Sequence, residues 1–177
     1  MGHFLYRRHF TVLIAIVGVL VVTVRWRPSL GIYPTFAVYG ALHALALVVS
    51  LRGHESRVRR ILFIGAAAAL SAASVFLGVE AIHHVRPLPA MVHAMLVLGL
   101  ASGFGAVCYA VLIRRFWTLS LSNRAALAMA CGCVITTEFV LVSGLLPRTD
   151  GLWFAAPWWF TFSMMLGYQD GRTPHRS

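Results

Sequence analysis

Four side chains that can bind a metal ion or carry a proton lie between positions 80 and 93. They are Glu80, His83, His84 and His93. Glu80 precedes His83 by three residues and His84 by four, so on a helix either histidine lies on the face of Glu80. With His93 added, three nitrogen and oxygen ligands and one open position would resemble a catalytic zinc site. The spacing therefore raises the hypothesis of a site for zinc or another divalent metal, and no other cofactor is predicted.

Two other interpretations of this cluster remain open. Histidines at a hydrated surface change charge in mildly acidic solution, which would give the cluster a proton-relay or pH-sensing role. Alternatively, the cluster is ordinary interfacial polarity, in which hydrated histidines cost little and Glu80 pairs with Arg86 or a histidine. Of the three, the sequence favours interfacial polarity.

A second pair of ionisable residues, His43 and Glu138, lies deep inside apolar runs. A helix rises about 1.5 Å per residue, which places His43 roughly 17 Å and Glu138 roughly 12 Å from the outer end of its run. An ionisable residue at such depth is costly and therefore suggests a function. For His43 the sequence favours a hydrogen bond to a neighbouring helix. Glu138 either carries a proton or cation or is a protonated acid bonded to a neighbouring helix, and a proton or ion path lined by both residues is the functional hypothesis.

A haem held by two histidines is disfavoured by the same depths. His43 and His93 differ by roughly 12 Å along the helix axes. His9 belongs to the N-terminal tail, where we expect solvent to surround it. His43 therefore has no expected histidine partner at its own level.

The elements that must position these residues are six apolar runs. Hydrophobic residues make up 59% of the chain and charged residues 11%, against about 25% charged residues in a typical soluble domain. Several runs approach the length of about 20 residues that crosses a bilayer as a helix. We predict an all-α integral membrane protein, one transmembrane domain over residues 1–177, without a soluble domain. The predicted spans are 10–24, 32–51, 61–82, 90–113, 125–146 and 152–167.

The arginines predict the orientation of these spans. All 15 basic residues are arginine, and 11 of them lie in the N-terminal segment, the second and fourth loops and the C-terminal tail. Because positive residues favour the cytoplasmic side, both termini are expected inside. Short basic clusters between apolar runs indicate topology and not nucleic-acid binding, and the composition suggests a bacterial cytoplasmic (inner) membrane as the location.

Small residues at four-residue spacing predict where helices approach closely. Gly65, Ala69 and Ala73 form one such stripe, and Gly99 and Gly103 form another. Such stripes permit close backbone contact in lipid. We expect the third and fourth spans to pack through them, with a dimer face as the alternative.

Three functions remain open, and the sequence favours a non-enzymatic protein. The first is an accessory or assembly component of a membrane complex, whose partners would be the lipid bilayer and other membrane subunits or a second copy. The second is a small transporter of a proton, ion or solute that uses Glu138 and His43. The third is a metal-dependent or redox protein built on the cluster at residues 80–93.

Overall fold

Six α-helices account for nearly all of the described chain in the computed structural model. The structure describes residues 6–24, 31–50, 56–83, 89–117, 121–143 and 152–170, and no strand occurs in these ranges. The predicted all-α class and the number of helices are therefore confirmed. In chain order the helices are α1 (Tyr6–Val24), α2 (Ile32–Ser50), α3 (Arg57–His83), α4 (Ala90–Phe116), α5 (Asn123–Ser143) and α6 (Leu152–Asp170).

Four of these helices are long and apolar enough to cross a membrane. Their candidate spans are Ile32–Ser50, Arg57–Glu80, Met91–Phe116 and Asn123–Ser143. The apolar part of α1, Arg8–Val21, is shorter. Large hydrophobic side chains on the outside of the bundle, such as Ile61 and Ile135 at 68% exposure each, fit a lipid environment better than water.

The helices α2 to α6 form a ring in which each helix packs on the next and α6 returns to α2. The remaining helix, α1, packs on the outside of the ring against α2 and α6. Tyr109, Phe63 and Phe162 belong to the core inside the ring, whereas Leu13 and Trp159 belong to a second core between α1, α2 and α6. This arrangement leaves the centre of the ring surrounded by five helices.

Arginines gather at one end of the bundle, which we call the arginine-rich end. Arg59, near the start of α3, donates a hydrogen bond to the carbonyl oxygen of Arg115 at 3.0 Å. Arg114 donates to Oδ1 of Asn123, the first residue of α5, at 2.9 Å. The end of α4 and the starts of α3 and α5 therefore meet here, and the basic side chains of α4 also complement the negative end of its helix dipole.

The predicted contact between α3 and α4 is present, but different residues make it. A Cβ built on Gly78 would lie 2.7 Å from the carbonyl oxygen of Val97, so Gly78 permits the close approach. Gly65 has no atom within 4 Å of such a Cβ, and it is exposed together with Ala69 and Ala73. The prediction for that stripe was wrong because the buried face of α3 runs through Ala67, about 200° from Gly65 around the helix.

Close packing of α2 on α3 depends on Gly40. A Cβ on Gly40 would lie 2.6 Å from the carbonyl oxygen of Ala67, a backbone atom that cannot move aside alone. We therefore expect Gly40→Ala to lower the free energy of unfolding by about 1–3 kcal/mol, as overpacking does. Thermal unfolding of the purified protein followed by circular dichroism measures the change.

The matched control is Gly65→Ala, because Gly65 has open space around it. Alanine there should leave stability unchanged or raise it by up to about 1 kcal/mol through helix propensity. Equal stability of the two variants would contradict the close approach of α2 and α3.

Candidate functional site

The predicted metal cluster is only partly within the described residues. Glu80 is exposed on α3 and His93 is half-buried on α4. The backbone of His83 ends α3, but its side chain is outside the description, as is all of His84. Over the described parts of the chain, no three His, Cys, Asp or Glu side chains form a group that could hold a metal ion. Because two candidate ligands fall outside that search, the metal site stays a prediction.

Glu138 is half-buried on α5 and faces Gly99 of α4. Its Oε1 lies 2.7 Å from the position that a Cβ on Gly99 would take. Its Oε2 is buried and has no hydrogen-bond partner among the described residues. The atoms nearest to Gly99 and Gly103 belong to Val134 and Glu138, so this stripe of α4 faces α5, and the expectation that it packs against the third span was wrong.

The second predicted path residue, His43, is fully buried at the centre of the ring of helices. Its imidazole is parallel to the ring of Trp159, with centroids 5.8 Å apart and an interplanar angle of 3°. Tyr109 lies against it with centroids 5.3 Å apart. Its Nε2 is 3.1 Å from Oγ of Ser163 on α6. Aromatic packing and one hydrogen bond therefore fix the orientation of this imidazole.

His9, which we expected to be solvated, is also fully buried and lies beside His43. The two ring centroids are 6.2 Å apart. The expectation was wrong because α1 begins at Tyr6 and not at residue 10, so His9 is on the helix face that packs against α2 and α6. Leu13, four residues later, is buried on the same face, and this spacing is the sequence signal that could have revealed it.

One hydroxyl group connects the two histidines. Nε2 of His9 is 2.7 Å from Oγ of Ser163, the same atom that contacts His43. His43 therefore does have a histidine neighbour, contrary to the depth argument. A haem iron between the two rings remains disfavoured, now because the Ser163 hydroxyl occupies the space between their Nε2 atoms.

The hydrogen bonds at the other nitrogen of His9 determine which group donates and which accepts in the hydrogen-bonded chain His43–Ser163–His9–Ser50. Nδ1 of His9 is 3.0 Å from Oγ of Ser50 and 3.3 Å from the carbonyl oxygen of Ala46. A carbonyl oxygen only accepts, so Nδ1 carries the hydrogen. Ser50 donates its own hydrogen to the same carbonyl at 2.5 Å, which leaves its oxygen free to accept from His9.

The donors and acceptors at Ser163 and His43 then follow. A charged imidazole is costly inside a membrane, and in the neutral His9 ring Nε2 must be an acceptor. Ser163 therefore donates to His9, and its oxygen accepts from the Nε2 hydrogen of His43. The remaining nitrogen of His43, Nδ1, is an acceptor that is buried and has no hydrogen-bond partner among the described residues.

A partly open cavity of about 80 Å³ lies inside the ring of helices, and His43 lines it. Aromatic rings such as those of Tyr109 and Trp158 form much of its wall. Every described lining residue is uncharged at neutral pH when His43 is neutral. Its hydroxyl-bearing residues besides the two tyrosines are Ser71, Ser74, Ser102 and Thr137.

The cavity and the hydrogen-bonded chain follow one another along the bundle. On α2 the lining residues run from Phe36 to His43, and the hydrogen bonds continue from His43 to Ser50, the last residue of the helix. Ser50 lies toward the arginine-rich end, because α3 begins only seven residues later, at Arg57. From Phe36 to Ser50 the two features together cover roughly 21 Å of helix, most of a hydrocarbon core of about 30 Å.

Comparison of the chain with protein-family models, with curated proteins and with solved structures gave no match. Function is therefore inferred from the geometry of the site itself.

Ser163→Ala tests whether the shared hydroxyl holds the chain together. The variant removes the hydrogen bonds that the hydroxyl makes to His9 and to His43, so we expect a loss of about 1–3 kcal/mol in the free energy of unfolding. Ser143→Ala is the matched control, since Ser143 is exposed and its hydroxyl donates to the carbonyl oxygen of Val140, three residues earlier in the same helix. It should change stability by less than about 0.5 kcal/mol. Equal unfolding midpoints for the two variants would contradict the bridging role.

Proposed function

We propose that this chain is a small membrane transporter that moves protons across the bilayer through His43. The observation that carries the proposal is the serial arrangement of the cavity and the chain His43–Ser163–His9–Ser50. A cavity of about 80 Å³ is large enough for several water molecules, each of which needs about 10–15 Å³. Water in the cavity would bring protons to His43, and the hydrogen-bonded groups from His43 to Ser50 would carry them toward the arginine-rich end.

Each transfer along the chain conserves protons. A proton arrives at Nδ1 of His43, and the hydrogen on its Nε2 leaves to Oγ of Ser163. The hydrogen of Ser163 passes to Nε2 of His9, and the hydrogen on Nδ1 of His9 passes to Oγ of Ser50. Ser50 then releases its own hydrogen to water at the arginine-rich end, so one proton leaves for each proton that arrives. Rotation of the hydroxyl groups and exchange of the imidazole hydrogens with water then restore the starting arrangement.

Glu138 supports the proposal less directly than His43. Its neighbour Thr137 lines the cavity, whereas Glu138 itself is not among the described lining residues. Its carboxyl group faces Gly99 instead. The proposed path therefore depends on His43, and a role for Glu138 in transport stays a prediction.

The proposal includes six crossings, with both termini in the cytoplasm of a bacterial cell and the chain in its cytoplasmic membrane. The helices α1 and α6 have 19 residues each, which gives a length of about 28 Å, close to the thickness of the hydrocarbon core. The arginine-rich end is then cytoplasmic by the positive-inside rule. The cavity consequently lies toward the external side.

Cysteine labelling tests this orientation. Val58 and Ile32 are exposed near opposite ends of the bundle, at 65% and 52%. We expect Ile32→Cys to react with a membrane-impermeant maleimide in intact cells and Val58→Cys to react only after permeabilisation, each measured above the wild-type background. The reverse pattern would show that the arginine-rich end faces outward.

Proton flux into proteoliposomes tests the function. With an internal pH dye and a potassium-diffusion potential, wild-type protein should acidify the lumen faster than empty liposomes do. His43→Phe and Ser163→Ala should reduce the rate to that of empty liposomes, because each removes a proton-carrying group. The control His93→Phe makes the same chemical change at a half-buried site outside the chain and should keep the wild-type rate.

Two results would overturn the proposal. One is a wild-type rate equal to that of empty liposomes. The other is an unchanged rate in both His43→Phe and Ser163→Ala, with insertion verified by the amount of protein in the vesicles.

The other two functions stay predictions. An accessory or assembly component would co-purify in mild detergent with a stoichiometric membrane partner. A metal-dependent or redox protein would contain stoichiometric metal that is lost in a His84→Ala, His93→Ala double variant.

A further inference from the structure

Several hydrogen-bonding groups of the cavity have partners among the described residues, whereas one buried nitrogen of His43 has none there. Thr137 donates to Oγ of Ser102 at 3.1 Å, and Ser74 donates to the carbonyl oxygen of Leu70 at 2.8 Å. The indole nitrogen of Trp158 donates to the carbonyl oxygen of Ser102 at 3.2 Å. Nδ1 of His43 has no partner in the described part of the chain. His43 also lines the cavity, so this unused acceptor belongs to a side chain in the cavity wall.

In the resting arrangement, before any proton is transferred, the hydrogen bonds among His43, Ser163 and His9 keep that nitrogen an acceptor. If His43 could change tautomer freely, Nδ1 would be a donor for part of the time. Nε2 of His43 is held as the donor by Ser163, which is itself held as a donor to His9. The Ala46 carbonyl, which only accepts, fixes the whole order. A carbonyl group near the arginine-rich end of α2 thus determines which nitrogen of His43 carries the hydrogen.

The remaining wall of the cavity sets the charge and size of its occupant. The described lining residues include no Asp, Glu, Arg or Lys, and an ion without a partner is costly in a membrane interior. The volume of about 80 Å³ is roughly half that of an engineered cavity of about 150 Å³ in another protein that binds benzene. An uncharged molecule smaller than benzene satisfies both the limit on charge and the limit on size.

We infer that the cavity binds a small, uncharged molecule that donates an N–H or O–H hydrogen bond to Nδ1 of His43 while its apolar part contacts the surrounding aromatic rings. This inference deepens the proposed function by naming the class of solute that occupies the transport path. It rests on that function only where it treats the bound molecule as a solute of the transporter. The binding itself follows from the unused acceptor and the uncharged wall. A solute with acceptors but no donor would leave Nδ1 unsatisfied.

Pyrrole and furan are the probes that isolate this donor. Both are planar five-membered rings of nearly equal size, but pyrrole donates an N–H hydrogen bond and furan has no donor. Binding to the protein in lipid nanodiscs can be followed by the fluorescence of the cavity tryptophans, with nanodiscs of bare lipid as the reference for partitioning. One hydrogen bond is worth about 1 kcal/mol, so we expect pyrrole to bind about fivefold more tightly than furan.

Three variants separate this hydrogen bond from general loss of structure. His43→Phe removes the acceptor and should bring the pyrrole-to-furan affinity ratio close to one. Ser163→Ala leaves His43 in place but frees its tautomer, so the ratio should fall to a value between those of wild type and His43→Phe. His93→Phe, which makes the same chemical change outside the cavity, should keep the wild-type ratio. The helical circular dichroism spectrum and monodisperse elution of each variant verify the fold.

Equal or tighter binding of furan by the wild-type protein would overturn the inference. So would a preference for pyrrole that is fully retained in folded His43→Phe protein. If His43→Phe does not fold, the wild-type ratio and Ser163→Ala still decide the matter. Proton flux without a preference for pyrrole would overturn the solute class alone, whereas the preference without proton flux would overturn the proposed function alone.

Discussion

The hydroxyl of Ser163 lies between two buried imidazoles, and much of the centre of this bundle depends on that contact. It joins α6 to His9 of α1 at 2.7 Å and to His43 of α2 at 3.1 Å. In a membrane the hydrophobic effect does not drive helices together, so packing and interhelical hydrogen bonds must do so. Three helices from opposite ends of the sequence are thus connected through one oxygen atom.

The same contact determines the orientation of the hydrogen bonds in the site. A chain of neutral hydrogen-bonding groups can have two orientations, and a group that only accepts selects one of them. Here that group is the carbonyl of Ala46, and its effect reaches Nδ1 of His43 through two imidazoles and a hydroxyl. A backbone group that does not line the cavity thus makes Nδ1 of His43 an acceptor. The same hydrogen bonds would therefore carry the proton and determine which solute the cavity binds.

Apolar runs and helix length predicted the six helices, while the faces that these helices bury could not be predicted in the same way. A helix in lipid is apolar on its outer face as well as its inner face, so hydrophobic periodicity does not separate the two. That is why the stripe at Gly65 was assigned to an interface although it is exposed. His9 was assigned to a solvated tail for another reason, since the first helix was expected to begin at residue 10 and begins at Tyr6. Polar residues are the better indicators in such a bundle, and His43 was correctly expected to lie inside it.

The orientation of the hydrogen bonds between His9 and His43 is the central claim, and nitrogen NMR of the imidazoles tests it most directly. In protein labelled with ¹⁵N-histidine and reconstituted in bilayers, chemical shifts distinguish a protonated from an unprotonated ring nitrogen. Spectra of His9→Phe and His43→Phe proteins would assign the two rings. We predict a hydrogen on Nδ1 of His9 and on Nε2 of His43. A hydrogen on Nδ1 of His43, with Nε2 unprotonated, would contradict the account.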